Sequence, residues 1–171
     1  MTKRRDFLAR LLGTGAIALV SVQSYAQRAG SHTIARDFIP LRTRQLPWHE
    51  ILERERFEIL FNEETEFAGS SALNDEKRDG TYICAACLLP LFRSQDKYDS
   101  GTGWPSFTQP IETHIATRQD FRRIEYHCAR CLGHQGHVFD DGPPPRGERW
   151  CNNGLALLFV PMSEPLPALR P

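Results

Sequence analysis

Hydrophobic and polar positions divide the chain into three stretches. Residues 1–26 are basic and then mostly apolar, residues 27–45 are polar and irregular, and residues 46–171 alternate apolar and polar positions over short distances. At the start of the third stretch, apolar residues from Trp48 to Phe61 recur at steps of three and four after Pro47. This spacing predicts a short amphipathic helix, and residues 27–45 are predicted to be a linker.

From Gly80 onward the pattern changes to short apolar or aromatic runs interrupted by Gly, Pro, Asp and Asn. Runs bounded by such breakers are typical of strands. We therefore predict a mainly β domain of small antiparallel sheets joined by long loops. The candidate strands are Thr81–Cys84, Pro90–Phe92, Ile111–Ala116, Arg122–His127, His137–Phe139 and Leu155–Val160.

The first stretch has the three-part layout of an export signal. Residues 3–5 are basic, residues 11–22 are mostly apolar, and the small residues Ser24 and Ala26 fit a cleavage site. The apolar segment is too short for the bilayer core, and residues 4–8 resemble the twin-arginine address. We predict a twin-arginine signal peptide over 1–26 and a periplasmic protein without membrane insertion after cleavage; an uncleaved anchor or an amphipathic helix is the alternative.

Charge and length exclude several classes of protein. The 171 residues carry 21 basic and 21 acidic side chains, and residues 27–171 alone are slightly acidic. Such a surface is not built to neutralise phosphates, so we expect no nucleic-acid partner. A chain of this length buries a core without an oligomer, so we expect a monomer.

Four of the five cysteines form two C-x-x-C pairs, Cys84 with Cys87 and Cys128 with Cys131. Two such pairs provide the four thiolates of a tetrahedral zinc site, which has no open position for substrate. We therefore predict one structural zinc ion per chain. The alternative is two local disulfides or a dithiol redox pair, which an oxidising compartment permits.

The fifth cysteine, Cys151, has no partner in the sequence. Arg149 precedes it by two positions, and a nearby cation lowers a thiol pKa. Asn153 follows it and could orient a polar substrate atom. A reactive thiol and a buried, inert cysteine are both consistent with this segment alone.

Other candidate residues lie in two glycine-containing segments. His134 and His137 flank Gln-Gly and could supply a proton donor and an orienting group, or alternatively ligands of a second metal. Trp104 stands in a glycine-rich turn, where it is either a substrate wall or an ordinary core residue.

Together, four segments resemble the type B methionine-R-sulfoxide reductases in order and spacing, over about residues 46–161. Enzymes of this class reduce one epimer of methionine sulfoxide. The resemblance implies a β-tent fold of two small antiparallel sheets with short N-terminal helices, and a reductase domain at 46–171. The four segments are Gly80–Cys84, Asp99–Phe107, Gly133–Pro143 and Arg149–Asn153.

The resemblance also implies roles for individual residues. Cys151 is the expected nucleophile that becomes a sulfenic acid, and Trp104 the wall that holds the S-methyl group. His134, His137 and Asn153 are expected to line the site, with a histidine protonating the departing oxygen. Asp141 and Arg149 also match family positions and are expected to bind substrate. Arg149 is expected in addition to help hold Cys151 as a thiolate.

Three positions depart from the family pattern. Many members carry a resolving cysteine where Thr102 stands, so the sulfenic acid would be reduced by an outside thiol, either a thioredoxin-like domain or a small thiol. Gln135 and Gly154 replace an apolar residue and a small hydroxyl, and we expect them to alter the polarity of the pocket. The expected substrate is oxidised methionine in peptides or proteins. A zinc-knuckle binding module without catalysis and a peroxide-sensing thiol are the competing interpretations.

Overall fold

The computed structural model describes residues 46–170, so the predicted signal peptide (1–26) and linker (27–45) lie outside the described residues. No helix in 46–170 is long and apolar enough to cross a membrane. The chain enters through helices α1 (Trp48–Ile51) and α2 (Arg54–Asn62). It continues through nine strands: β1 (Gly80–Cys84), β2 (Pro90–Arg93), β3 (Lys97–Tyr98), β4 (Ser106–Phe107), β5 (Ile115–Asp120), β6 (Arg123–Cys128), β7 (His134–Phe139), β8 (Arg149–Asn152) and β9 (Leu157–Pro161).

The nine strands form two antiparallel sheets. The smaller sheet has the order β2-β1-β9, and the larger has the order β3-β4-β8-β7-β6-β5. The prediction of a mainly β fold with two antiparallel sheets and short N-terminal helices is confirmed. Strands β7 and β8 lie at the centre of the larger sheet. Each of them is therefore hydrogen-bonded to a neighbouring strand along both of its edges.

The single predicted helix is in fact two. Leu52 and Glu53 adopt extended backbone conformations, with ψ of 149° and 144°, and so separate α1 from α2. The break lets the chain fold back on itself, and the Trp48 ring stacks on Phe61 with centroids 5.5 Å apart. Leu52 is buried at the corner. Tertiary packing therefore overrides the helical period.

Several predicted strand boundaries were wrong. Strand β5 begins at Ile115 because residues 112–114 form a 3-10 turn, and β9 begins at Leu157 for the same reason. The pattern missed β8 entirely. Its residues Arg149 and Asn152 are polar yet buried, because they find hydrogen-bond partners inside the fold, so the strand lacks a hydrophobic signature.

An aromatic core lies under β8. Phe107 and Trp150 are paired across β4 and β8, and the Tyr126 ring packs edge-on against Trp150 at 5.1 Å. The Tyr126 hydroxyl donates to Oδ1 of Asn152 at 2.7 Å and lies 3.1 Å from the carbonyl oxygen of Cys151. The core thus fixes the backbone on both sides of the unpaired cysteine.

Candidate active site

Cys151 and His137 face each other across two central strands. In the antiparallel pairing of β7 with β8, the Cα partners are His137 with Cys151 and Gly136 with Asn152. Residues directly opposite in such a pair project to the same side of the sheet. The thiol and the imidazole therefore share one face, and both line the same cavity.

That cavity has a volume of about 170 Å³. It is smaller than a typical site for a drug-sized ligand and suits a single unbranched side chain. Of the predicted site residues, it brings together Cys151, His137, Trp104 and Asn153. Its remaining lining residues, which the sequence did not single out, are Thr65, Arg123, Gly136, Phe139 and Asn152.

A glycine-rich turn fixes the indole of Trp104. Gly101 and Gly103 have φ of 70° and 88°, a region that favours glycine. A Cβ on Gly103 would lie 2.9 Å from the amide nitrogen of Gly69, which itself donates to the Gly103 carbonyl at 2.7 Å. The indole N–H then donates to the carbonyl of Glu66 at 3.1 Å. The ring is therefore held at the pocket wall.

Glu66 is a structural centre of the site that sequence reasoning missed. Its buried carboxylate accepts the backbone N–H groups of Gly154 at 2.6 Å and Leu155 at 2.9 Å. Its own N–H donates to Oδ1 of Asn153 at 3.2 Å. One residue thereby ties Trp104 to the segment that follows Cys151. A glutamate in a polar loop carries no sequence signal for such a role.

His134 lies beside the pocket and does not line it. Its Nδ1 is 2.6 Å from Oε1 of Glu125, and its buried Nε2 has no hydrogen-bond partner within residues 46–170. Its ring centroid is 5.6 Å from that of His137. Burial lowers the pKa of His134, and the neighbouring Glu125 opposes this only in part, so the ring is neutral at pH 7.

The alternative of a second metal held by His134 and His137 finds no support in the geometry. Within residues 46–170, the group containing His134 whose possible ligand atoms lie within 4.8 Å of one another is Glu125, His127 and His134 instead. The Arg118 guanidinium contacts the Glu125 carboxylate at 2.5 Å, so the negative charge of that carboxylate is already paired with a cation. We interpret the cluster as a charge-neutralised hydrogen-bond network.

Burial raises the pKa of the Cys151 thiol above its ordinary value. The Arg149 guanidinium lowers it, as predicted from sequence, and contact with the Thr102 hydroxyl lowers it further, but burial outweighs both. Arg149 is also engaged elsewhere: it forms two hydrogen bonds with Asp141, at 2.7 and 2.9 Å, and stacks on Phe139. The resting site therefore holds a thiol.

Asp141 and Arg149 stand outside the pocket lining. The sequence suggested substrate contact for both, but their mutual ion pair is the main feature the structure gives them. It fixes the guanidinium near Cys151 and holds the pKa of Asp141 below its usual range. Both residues are therefore placed to act on the nucleophile Cys151 through their charges.

Thr102 faces the nucleophile from the glycine-rich turn. Its hydroxyl is 2.8 Å from Oγ of Ser100, which is in turn 2.8 Å from Oγ of Ser106, and it lies close enough to the Cys151 thiol to lower the thiol pKa. The position expected to carry a resolving cysteine therefore lies against Cys151. In this chain Thr102 occupies that position and presents a hydroxyl group to Cys151 instead of a thiol.

The four remaining cysteines form a buried cluster at the ends of β1 and β6. Sulfur atoms are 3.6 Å apart for Cys84 and Cys131 and 3.4 Å apart for Cys87 and Cys128, and all four lie within 4.8 Å. Disulfide sulfurs are about 2.0 Å apart, whereas a tetrahedron with metal–sulfur bonds of about 2.3 Å has edges of about 3.8 Å. All four are free thiols and could hold a metal ion.

Two matched turns build the cluster. In each, the residue after the second cysteine donates its N–H to the carbonyl of the first at 2.9 Å: Leu88 to Cys84, and Leu132 to Cys128. Both leucines have positive φ, 66° and 60°. Two turns of the same kind thus present the two thiol pairs, as the repeated C-x-x-C spacing predicts.

Gln135 and Gly154, which we expected to alter the polarity of the pocket, do not line it directly. The fully buried Gln135 amide lies between the two sites: Nε2 donates to Sγ of Cys84 at 3.7 Å, and Oε1 is 3.5 Å from Nδ2 of Asn152. At Gly154, a Cβ would lie 2.0 Å from Oγ of Ser71. Ser71 thus occupies the space of a side chain there.

Comparison with known proteins agrees with this geometry. The SelR domain family matches residues 52–161. A peptide methionine sulfoxide reductase of Pseudomonas putida strain W619 is 47% identical over 119 residues, which are 67% of this chain and 90% of that protein. Similar proteins of the same name occur in Leptospira interrogans (44% over 117 residues, 66% and 89%) and Azotobacter vinelandii (46% over 122 residues, 68% and 92%). The chain therefore belongs to the type B methionine-R-sulfoxide reductase family.

Proposed function

We propose that this protein reduces methionine (R)-sulfoxide in peptides or oxidised proteins to methionine, with Cys151 as the nucleophile. The observation that carries the proposal is the pairing of Cys151 with His137 on the floor of a pocket just large enough for one side chain. The names of the relatives support the same reaction. A binding module has no use for a half-buried thiol opposite an imidazole.

The chemical step moves one oxygen atom between two sulfurs. The Cys151 sulfur attacks the sulfoxide sulfur and forms a transient sulfur–sulfur bond. The oxygen then forms a bond to the cysteine sulfur while the sulfur–sulfur bond and the substrate's sulfur–oxygen bond break, which releases methionine and leaves a sulfenic acid. The thiol proton ends on that oxygen. Methionine sulfur is reduced by two electrons and the cysteine sulfur is oxidised by two.

His137 is the group placed to move that proton. It lies opposite Cys151, and its Nε2 is 3.2 Å from Oδ2 of Asp120, which fixes the orientation of the ring. Since burial raises the pKa of the Cys151 thiol, the proton is still on sulfur when substrate binds. Transfer through the imidazole creates the thiolate only as it is needed.

Selection of one epimer follows from the two unlike walls of the pocket. Sulfur and methyl groups pack well on an aromatic ring, so the S-methyl group lies against Trp104. Oxygen requires a hydrogen-bond donor, which the His137 ring supplies on another side. Only one configuration at sulfur satisfies both contacts.

Regeneration needs a reductant from outside the chain. The other four cysteines belong to the metal cluster, and Thr102 cannot form a disulfide. A first external thiol converts the sulfenic acid to a mixed disulfide with release of water, and a second thiol releases Cys151 and a disulfide. A thioredoxin-like domain and a small thiol both provide this chemistry.

Zinc is the metal we assign to the cysteine cluster. Cys84, Cys87, Cys128 and Cys131 would hold it with four sulfur ligands, and zinc there neutralises buried thiolates and links the end of β1 to the end of β6. Burial raises the pKa of Cys84 and Cys128, so a thiolate cluster at this place requires a compensating cation. One ion per chain serves a structural role.

Export is part of the proposal. The basic, apolar and small-residue segments of 1–26 support a twin-arginine signal, which would deliver a folded, zinc-loaded domain of residues 46–171 to the periplasm as a monomer. Folding before export explains how four cysteines escape oxidation. Fusion of residues 1–45 to a reporter that is active only after folded export, with Arg4 and Arg5 replaced by lysine as control, tests this point.

The activity is tested with separate R and S epimers of a methionine-sulfoxide peptide and dithiothreitol as reductant. We expect turnover of the R epimer alone, lost in Cys151→Ser. Turnover of neither epimer by a folded protein would favour the binding module. Oxidation of Cys151 by peroxide but not by sulfoxide would favour a redox sensor.

A further inference from the structure

A second and larger depression, the acidic groove, adjoins the sulfur pocket. It has a volume of about 450 Å³ and lies between α2, the loop of residues 64–70 and the turn that follows β8. The residues that define it here are Glu55, Glu58, Ile59, Glu64, Phe67 and Leu155. No step of the proposed reaction uses any of them.

The groove lies next to the pocket, with Thr65 between them. Thr65 lines both cavities. Glu66, the next residue, is fixed by its hydrogen bonds to Gly154 and Leu155, so the wall between the two cavities is well ordered. A polypeptide whose methionine-sulfoxide side chain reaches Cys151 therefore places neighbouring residues over Thr65 and into the groove.

Carboxylates outnumber cations along the groove. Glu55, Glu58 and Glu64 face a single guanidinium, that of Arg54, which is 90% exposed and only 4.0 Å from Glu58. Such an exposed pair neutralises little charge. The carboxylate of Glu66 is satisfied by backbone N–H groups. The groove therefore carries net negative charge toward solvent.

Apolar surface accompanies the charge. Ile59 and Leu155 contribute to the walls, and the Phe67 ring at the rim is 90% exposed. An exposed aromatic ring beside a cavity is typical of a surface that a partner covers. Acidic and apolar surfaces together fit the aliphatic stem and cationic head of a lysine or arginine side chain.

We propose that the acidic groove recognises the polypeptide segment that flanks the oxidised methionine, and that it favours basic residues in that segment. The inference rests on the proposed function, since it identifies a class of substrate for the same pocket. The enzyme then prefers oxidised methionines in basic, exposed segments of proteins over the free amino acid.

The test measures kcat/KM of the mature enzyme for three R-sulfoxide substrates, with dithiothreitol as the reductant. Two peptides carry lysine or glutamate at the positions on either side of the methionine sulfoxide, and N-acetyl-methionine sulfoxide, which is too short to enter the groove, is the reference. We expect kcat/KM to be roughly five-fold higher for the lysine peptide than for the glutamate peptide at low ionic strength. The ratio should approach one in about 0.5 M salt, where the Debye length is only a few ångströms.

Variants locate the effect. Glu58→Gln combined with Glu64→Gln should abolish the lysine preference and leave the reference substrate unchanged. Glu50→Gln combined with Glu112→Gln removes two exposed carboxylates outside the groove and should preserve the preference. Phe67→Ser should raise KM for both peptides and leave kcat unchanged.

The outcomes separate the two proposals. If the reference and both peptides are reduced with equal kcat/KM, the activity stands and the groove is not a recognition site. A preference that survives the groove variants also overturns the groove. If none of the three substrates is reduced, the proposed function itself fails.

Discussion

His137 is the cross-strand partner of Cys151, and this relationship organises the site. It depends on the register of β7 and β8, since a shift by one residue would turn one of the two side chains to the opposite face. The Tyr126 hydroxyl, which donates to Oδ1 of Asn152 and lies 3.1 Å from the Cys151 carbonyl oxygen, helps to hold that register. The reactive pair is thus built into the centre of a sheet and does not rely on a loop.

Gly136→Ala should break this arrangement. A Cβ at this position would lie 1.9 Å from the carbonyl oxygen of Cys151, so β7 and β8 would have to separate. We expect a loss of about 2–3 kcal/mol in the free energy of unfolding, measured with urea, and a large fall in activity. Gly147→Ala, where nothing lies within 4 Å of the added Cβ but φ is 72°, is the control for backbone strain without a steric clash. Equal effects of the two changes would show that the close approach is unimportant.

Thr102→Cys should convert the enzyme to one with an internal resolving thiol. The Thr102 side chain contacts the Cys151 thiol, so a cysteine there is within reach of a sulfenic acid. After one equivalent of substrate without reductant, peptide mapping should find a disulfide between positions 102 and 151. A Ser100→Cys variant tests whether proximity alone suffices. Persistence of the sulfenic acid in Thr102→Cys would mean that the two side chains do not meet.

The pH dependence of alkylation should reveal a raised thiol pKa at Cys151. Because burial disfavours the thiolate, the rate with iodoacetamide in the absence of substrate should rise only above the pH at which an ordinary cysteine ionises. Arg149→Met removes the stabilising cation and should move the midpoint to still higher pH. Arg146→Met, an exposed arginine outside the pocket lining, should not. A midpoint below that of free cysteine would refute the assignment of a resting thiol.

Gln135→Leu should weaken metal retention without removing a ligand. The Gln135 amide donates to Sγ of Cys84 and is buried against Asn152, so the leucine variant leaves the sulfur without that hydrogen bond. Loss of such outer contacts typically lowers metal affinity by about ten-fold. Competition with a chromogenic chelator measures the change, and Gln119→Leu at an exposed position near the end of β5 is the control. Unchanged zinc affinity would show that the contact is not energetically coupled to the metal.

The sequence predicted some of these features and not others for identifiable reasons. The C-x-x-C spacing predicted the cluster because a metal knuckle is a local motif, and the two turns around Cys84 and Cys128 need only neighbouring residues. The structural role of Glu66 could not be predicted from the sequence, because its carboxylate binds backbone N–H groups that are 88 and 89 residues away.

The pKa of the Cys151 thiol could likewise be predicted only in part from the sequence. Proximity in sequence correctly gave the sign of the Arg149 effect on the thiol pKa. It could not include burial of the thiol or the diversion of the guanidinium by Asp141, because both depend on the packed structure. Strand β8 was missed for a related reason, since its buried polar side chains obscure the alternation that marks a strand.

The most direct test of Cys151 as the nucleophile is a single turnover without reductant. The zinc-loaded enzyme is mixed with one equivalent of an R-sulfoxide peptide, and intact-protein and peptide mass spectra are recorded with a sulfenic-acid trap. We expect one methionine peptide released per chain and one sulfenic acid at Cys151 alone, seen as a gain of one oxygen atom without the trap and as the trap adduct with it, and all four other thiols unchanged. A disulfide within the chain, oxidation at another cysteine, or product formed by Cys151→Ser would contradict the one-cysteine mechanism.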